Sequence, residues 1–217
     1  MTADNPLLQD FDLPPYSVIR PEHVEPAVDA ILADSRVAIA QLLAQQQAAP
    51  SWNGLVLALD ELGARLSRAW SPVSHLNAVC NSAELRAADE ACLPKLSEYW
   101  TELGQNRGLF EAYQALASGP AAAGFDVAQQ TILEHALRDF RLSGIDLPPA
   151  GQQRYGAIQM KLSELTSSFS NQLLDATQAW SKHITDEAAL AGLTDSAKAQ
   201  MAQAAAAKEL DGWLISL

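Results

Sequence analysis

The sequence predicts a mostly α fold: a multi-helix antiparallel bundle with kinked long helices and at most a minor β-strand pair near the C-terminus. Three observations predict it. Apolar side chains recur at steps of three and four along most of the 217 residues, which is the helical period. Prolines and helix-capping residues cut that pattern into segments. Only the terminal run Gly212, Trp213, Leu214, Ile215, Ser216, Leu217 is short and apolar in the manner of a strand. A lone strand must find partners for its N–H and C=O groups, elsewhere in the chain or beyond it, so the chain reads as part of a larger protein.

Residues 1–20, with Pro6, Pro14 and Pro15 and no periodicity, read as an extended N-terminal arm. Pro21 and Pro26 suit helix first turns, after which Val24, Val28, Ile31, Leu32, Ile39, Leu42 and Leu43 form one stripe ending before Pro50. The next helix is the most regular. Trp52, Leu55, Leu59, Leu62, Leu66, Ala69, Val73, Leu76 and Cys80 alternate steps of three and four, a seam for shallow-angle helix packing. Pro72 costs about 3 kcal/mol inside a helix, but burying Val73 and Leu76 returns about 1.5–3 kcal/mol each, so a bend rather than an end is expected.

Asn81 with Glu84 reads as a capping box for a helix with the stripe Leu85, Ala88, Cys92, Leu96, Tyr99 and Leu103, kinked at Pro94. A shorter helix, Leu109 to Ala117, stops at Ser118, Gly119 and Pro120. The loop to Gly124 divides a first helical subdomain, 21–118, from a second, 125–217, that ends in the strand. Asp126 with Gln129 starts the next helix, and Gly144, Pro148 and Pro149 close it. From Gln152 to Lys182 there is no proline, and Tyr155, Ile158, Leu162, Leu165, Phe169, Leu173, Ala176 and Trp180 keep helical spacing for about eight turns. A last Ala-rich helix runs from the cap Thr194 to Ala207, and the terminal strand is expected to pair near Ile184.

Composition narrows the function. The net charge is -12, and the first fifty residues hold seven acidic and two basic side chains, so neither half is basic. Phosphate binding draws on clustered Lys and Arg, which argues against nucleic acid and anionic membranes as partners. The longest uncharged stretch, Val37 to Leu59, is interrupted by glutamines, Pro50, Asn53 and Gly54, too polar for a membrane span. Met1 to Asp12 has three Asp and no basic residue, the wrong sign for a secretory signal, and a cytoplasmic address is expected. Cys80 and Cys92 are expected as buried free thiols, since a helical core of this size needs no staple.

No GxSxG, GxGxxG, phosphate-binding loop, CxxC or HExxH occurs. His75, Cys80 and Cys92 lie along helices rather than as close pairs in turns, so the trio reads as structural. His135, between Glu134 and Asp139, has a carboxylate spaced to orient an imidazole, but that spacing equally gives a helix-surface pair. His23 and His183 stand alone. Glu61 with Arg65, and Glu134 with Arg138, read as helix-face ion pairs. Trp70, Trp100 and Trp180 are read as core or helix-crossing residues, with an aromatic-lined ligand groove as the alternative.

Six runs carry a resemblance: NPLL at 5–8, RPEHVEPAVDAIL at 20–32, RLSRAWSPVSHLNAVCNS at 65–82, LSEYWTELGQN at 96–106, LEHALRDFRLSGIDLPP at 133–149 and LSELTSSFSNQLLDATQAWSKHITDEAALAGL at 162–193. Together they resemble the N-terminal region of bacterial oligopeptidase A-type enzymes, in the thimet oligopeptidase-like family of zinc metallopeptidases. The resemblance implies a cytoplasmic zinc endopeptidase that cuts short peptides in a channel between two helical halves, with this chain as one wall. An HExxH helix would supply two zinc ligands and a general-base Glu, a downstream Glu would complete the site, and Tyr or His donors would stabilise the oxyanion. None of those positions is in this sequence, so no catalytic residue and no metal ligand is assigned, substrate-contacting side chains stay unassigned, and zinc is expected only in the full-length enzyme. The missing catalytic portion is then the expected partner, and without it the chain is expected to expose apolar surface and self-associate. The residues alone also allow a free-standing helical interaction module with a groove beside the rod 152–182. A metal-dependent enzyme built on His75 and His135 has almost no support from spacing.

Overall fold

The computed structural model describes residues 4–46 and 49–216. The arm's first three residues and Leu217, the last residue of the expected strand, lie outside the described residues. The chain is mostly helical, with one two-stranded antiparallel sheet near the C-terminus. It divides into two compact units, Met1–Glu164 and Leu165–Leu217. No helix among the described residues is long and apolar enough to cross a membrane.

In the first unit the arm is pinned rather than loose. The Asn5 side chain caps a 3-10 turn at Pro6–Leu8 and donates to the His23 carbonyl at 2.7 Å, while Leu7 and Ile19 are buried. Helix α1, Pro21–Gln46, is the hub: it packs on α2 (Ala58–Val79), α3 (Ala83–Gly104) and α4 (Arg107–Ser118). Of its expected stripe, Val24, Val28, Ile31, Leu32, Ile39 and Leu42 are buried and Leu43 is half-buried, with Ala27 buried beside them. Pro26 sits one turn further into α1 than expected, where its missing N–H forfeits the bond to the carbonyl of residue 22.

Helix α2 is preceded by a π-helical turn, Trp52–Leu57, capped by Ser51, and the helix runs on through a buried Pro72. The cap of α3 is Ser82, whose hydroxyl accepts from Leu85 N–H at 3.1 Å; Asn81, expected as the cap, instead bonds back to Asn77. Glu84 still takes part, its carboxyl held below the usual range by a backbone hydrogen bond and by Ser82. Pro94 lies inside α3 without ending it.

Residues 120–124, where the sequence suggests a boundary, form a 3-10 turn, and α4 packs on α5 (Val127–Leu142) across it. Phe140 of α5 meets Phe110 and Tyr113 of α4, each at 5.7 Å between ring centroids. The Asp126–Gln129 capping box is present with both bonds, 2.8 and 3.1 Å. At the other end, Gly144 takes φ 85°, Ile145 N–H returns to the Phe140 carbonyl and Gly144 N–H to that of Arg141, the paired bonds of a Schellman ending. Three side chains tie this turn down: Gln105 donates to the Ser143 carbonyl at 3.0 Å, and both Arg107 and Gln152 donate to that of Ile145.

Helix α6, Pro149–Ala179, starts and stops three residues before the expected limits, and the division between the two units falls within it. Pro149 suits its first turn. It has no buried residue. In the second unit, β1 (Ser181–Ile184) pairs antiparallel with β2 (Trp213–Ser216), with Ile184 opposite Trp213, as expected. Between them come a 3-10 turn, Glu187–Leu190, and α7, Asp195–Ala206, capped by Thr194. Leu190, Ala205 and Leu214 are this unit's buried apolar residues among those described. Gly212 has φ 94°, and a Cβ there would stand 2.5 Å from the Ile184 carbonyl oxygen.

Candidate functional site

The four histidines have different local surroundings. His23 Nδ1 accepts from Arg20 N–H at 3.0 Å and so braces the start of α1. His75 is exposed and tilts against the Tyr16 ring, 5.4 Å between centroids. His183 Nε2 pairs with the Asp211 carbonyl at 2.6 Å across the base of the hairpin. His135 is exposed, and Asp139, the carboxylate that could have oriented it, pairs with Arg138 at 2.9 Å. The expected Glu134–Arg138 pair is therefore replaced by one between sequence neighbours. Likewise Arg65 reaches Asp34 on α1 at 2.9 Å, and Glu61 pairs with Arg68 at 3.0 Å. Helix spacing sets which residues can meet, but long side chains choose partners on neighbouring helices that a one-helix reading does not contain.

The most perturbed groups lie on α3, along its packing against α1. Asp89 is 7% exposed, and burial pushes its carboxyl up to about 6, with Glu90 adding repulsion. Cys92 is fully buried and its thiol is pushed up to about 12, again by burial first. Lys95 bridges Glu25 at 2.8 Å and Asp29 at 2.6 Å, and those bonds raise its pKa. Nothing in the sequence reading singled out Asp89. The signal was there, since Leu85, Asp89, Cys92, Leu96 and Tyr99 step by four and three along one face.

Both cysteines are free, but only Cys92 is buried; Cys80 lies exposed just past the end of α2, contrary to the expectation that both are core thiols. A metal needs a thiolate, neutral imidazole or carboxylate donors converging on one point. Among the described residues no three His, Cys, Asp or Glu side chains converge in that way. Cys92 as a thiol of raised pKa is a poor donor, and His75 is engaged with an aromatic ring. The His, Cys, Asp and Glu side chains among the described residues are not arranged to fit a zinc site.

The tryptophans also separate. Trp70 packs half-buried against the core, as expected, whereas Trp100 is 49% and Trp180 is 44% exposed. Trp100 lies edge-on to Tyr99 in the first unit, and Trp180 closes α6 in the second. Along α6 an apolar stripe is uncovered: Ile158, Leu162, Leu165, Phe169 and Leu173 are all exposed. Ser163, Ser167 and Leu174, on the opposite side, are half-buried. Each uncovered Leu or Phe forgoes about 1.5–3 kcal/mol of burial.

Comparison with known proteins places this architecture. The model of the neurolysin/thimet oligopeptidase N-terminal domain matches residues 28–153. Oligopeptidase A of Haemophilus influenzae is 50% identical over 217 residues, all of this chain and 32% of the relative, and that of Escherichia coli is 51% identical over 214 residues, 98% and 31% respectively. A dipeptidyl carboxypeptidase of Escherichia coli is 30% identical over 222 aligned positions, covering all of this chain and 32% of its own length. The chain thus spans about a third of the length of the curated relatives it matches. It belongs to the neurolysin/thimet oligopeptidase family, of which it represents the N-terminal domain.

Proposed function

We propose that this chain is the N-terminal helical wall of a zinc-dependent oligopeptidase that degrades short peptides in the cytoplasm. The observation that carries the reading is the identity of about half its residues to oligopeptidase A along its whole length. Its own contribution is shape: packed helices bounding a channel that admits short peptides and excludes folded proteins. The metal chemistry, polarisation of the scissile carbonyl and activation of water, belongs to the catalytic portion. The match to a dipeptidyl carboxypeptidase leaves the choice between internal and end-directed cleavage to that portion as well.

The test is a fusion. This chain, joined in place of the matched first third of Haemophilus influenzae oligopeptidase A, is expected to yield chelator-sensitive hydrolysis of a quenched short peptide. The 217-residue chain alone, with zinc, is expected to yield none. An inert but folded fusion, or cleavage by the chain alone, overturns the reading. The alternative, a free-standing interaction module, draws on the exposed apolar face of α6 and requires a reading frame that does not continue into an HExxH helix.

A further inference from the structure

Helix α6 leaves an apolar stripe uncovered in the second unit. Leu165, Phe169 and Leu173 are 52%, 68% and 57% exposed, with Trp180 two turns beyond at 44%, while Ser167 and Leu174 are half-buried. The exposed residues step by four, four and seven, a single stripe of about four turns. Leu174, on the other side, is half-buried, so the helix has more apolar surface than its own unit covers, and leaving it in water forgoes the main driving force of packing. The unit also has little core of its own to offer: Leu190, Ala205 and Leu214 are its buried apolar residues among those described. A stripe this long and uncharged is a surface shaped for an apolar neighbour.

We propose that the Leu165–Phe169–Leu173–Trp180 face of α6 is the docking surface for the catalytic portion of the peptidase, which covers it with an apolar face of its own. The inference rests on the family reading above. The occupant follows from what surrounds the stripe: the matched relatives carry about two thirds of their length outside this chain, the chain corresponds to their N-terminal domain, and the stripe lies in the unit nearest to where they continue. An interaction module would need a different protein there, and a self-contained oligomer a second copy.

Thiol footprinting separates these occupants. In a Cys80→Ser background, Phe169→Cys is introduced into the chain alone and into the Haemophilus fusion, and maleimide labelling at that position is followed by mass spectrometry below micromolar concentration. Labelling is expected to be at least about tenfold slower in the fusion, because only local opening would expose the thiol. Equal rates overturn the proposal, provided buried Cys92 stays unlabelled and so reports a folded chain. Slow labelling in both also overturns it, since a second copy then covers the face. If Cys92 reacts in the fusion, association decides: the chain alone is expected to self-associate with rising concentration, reversed by Phe169→Glu and not by Val127→Glu, and a monomer throughout overturns the proposal. Peptide hydrolysis keeps the two ideas apart. Hydrolysis with equal labelling sinks the docking face and leaves the family reading; protection without hydrolysis does the reverse.

Discussion

Asp89 and Cys92, one turn apart on α3, are both buried, and burial drives both toward their neutral forms. For Asp89 the folded-state value of about 6 exceeds the ordinary 3.8, so the protonated carboxyl is the one the fold prefers. Its favourable contribution is complete below the ordinary value and is lost as pH rises through about 6. Asp89→Asn is therefore expected to raise Tm by roughly 3–8 °C near neutral pH, with the gain vanishing by about pH 3.5. Thermal melts across that range check it, and a lower Tm for the variant at neutral pH refutes it.

The two thiols should differ in reactivity by far more than their shared residue type suggests. Exposed Cys80 is expected to react quickly with a disulfide reagent, whereas Cys92, buried and pushed up to about 12, should react only in denaturant. Cys80→Ser should leave no fast-reacting thiol among the described residues.

Gly212 turns the chain into β2 at φ 94° with the Ile184 carbonyl 2.5 Å from where a Cβ would be. Gly212→Ala is expected to cost about 1–3 kcal/mol. Hydrogen exchange should show it as lost protection at Ser181–Ile184, with the α1 amides unchanged; equal protection in both proteins would count against it.

Ile31, 1% exposed, lies near the centre of α1, the helix that packs on α2, α3 and α4. Ile31→Ala is expected to destabilise by about 2–5 kcal/mol. Val37→Ala, at a site 57% exposed on the same helix, should stay within about 0.5 kcal/mol. Urea titrations of the two variants make the comparison.

Legibility in the sequence followed the range of the forces involved. The Asp126 and Thr194 caps were readable because donor and acceptor lie three residues apart. So were the apolar stripes of α1 and α2, because period marks an apolar face, although Cys80 at the end of the second series is exposed. The pairing of Arg65 with Asp34 was not, since it joins residues 31 apart in the chain. Periodicity also gave α6 its apolar face without saying whether anything covers it, and Trp100 and Trp180 were read as core for the same reason. Of the site, the absence of catalytic motifs was legible from residues; the family came from long runs of identity that no local rule supplies.

The ties of Gln105, Arg107 and Gln152 to the carbonyls of Ser143 and Ile145 fasten two helix connections, α3 to α4 and α5 to α6, to one another. Neither connection is an independent module. Anyone exchanging segments between this protein and its relatives should move both corners together, because a cut between them strands backbone oxygens whose donors were left behind on the other parent.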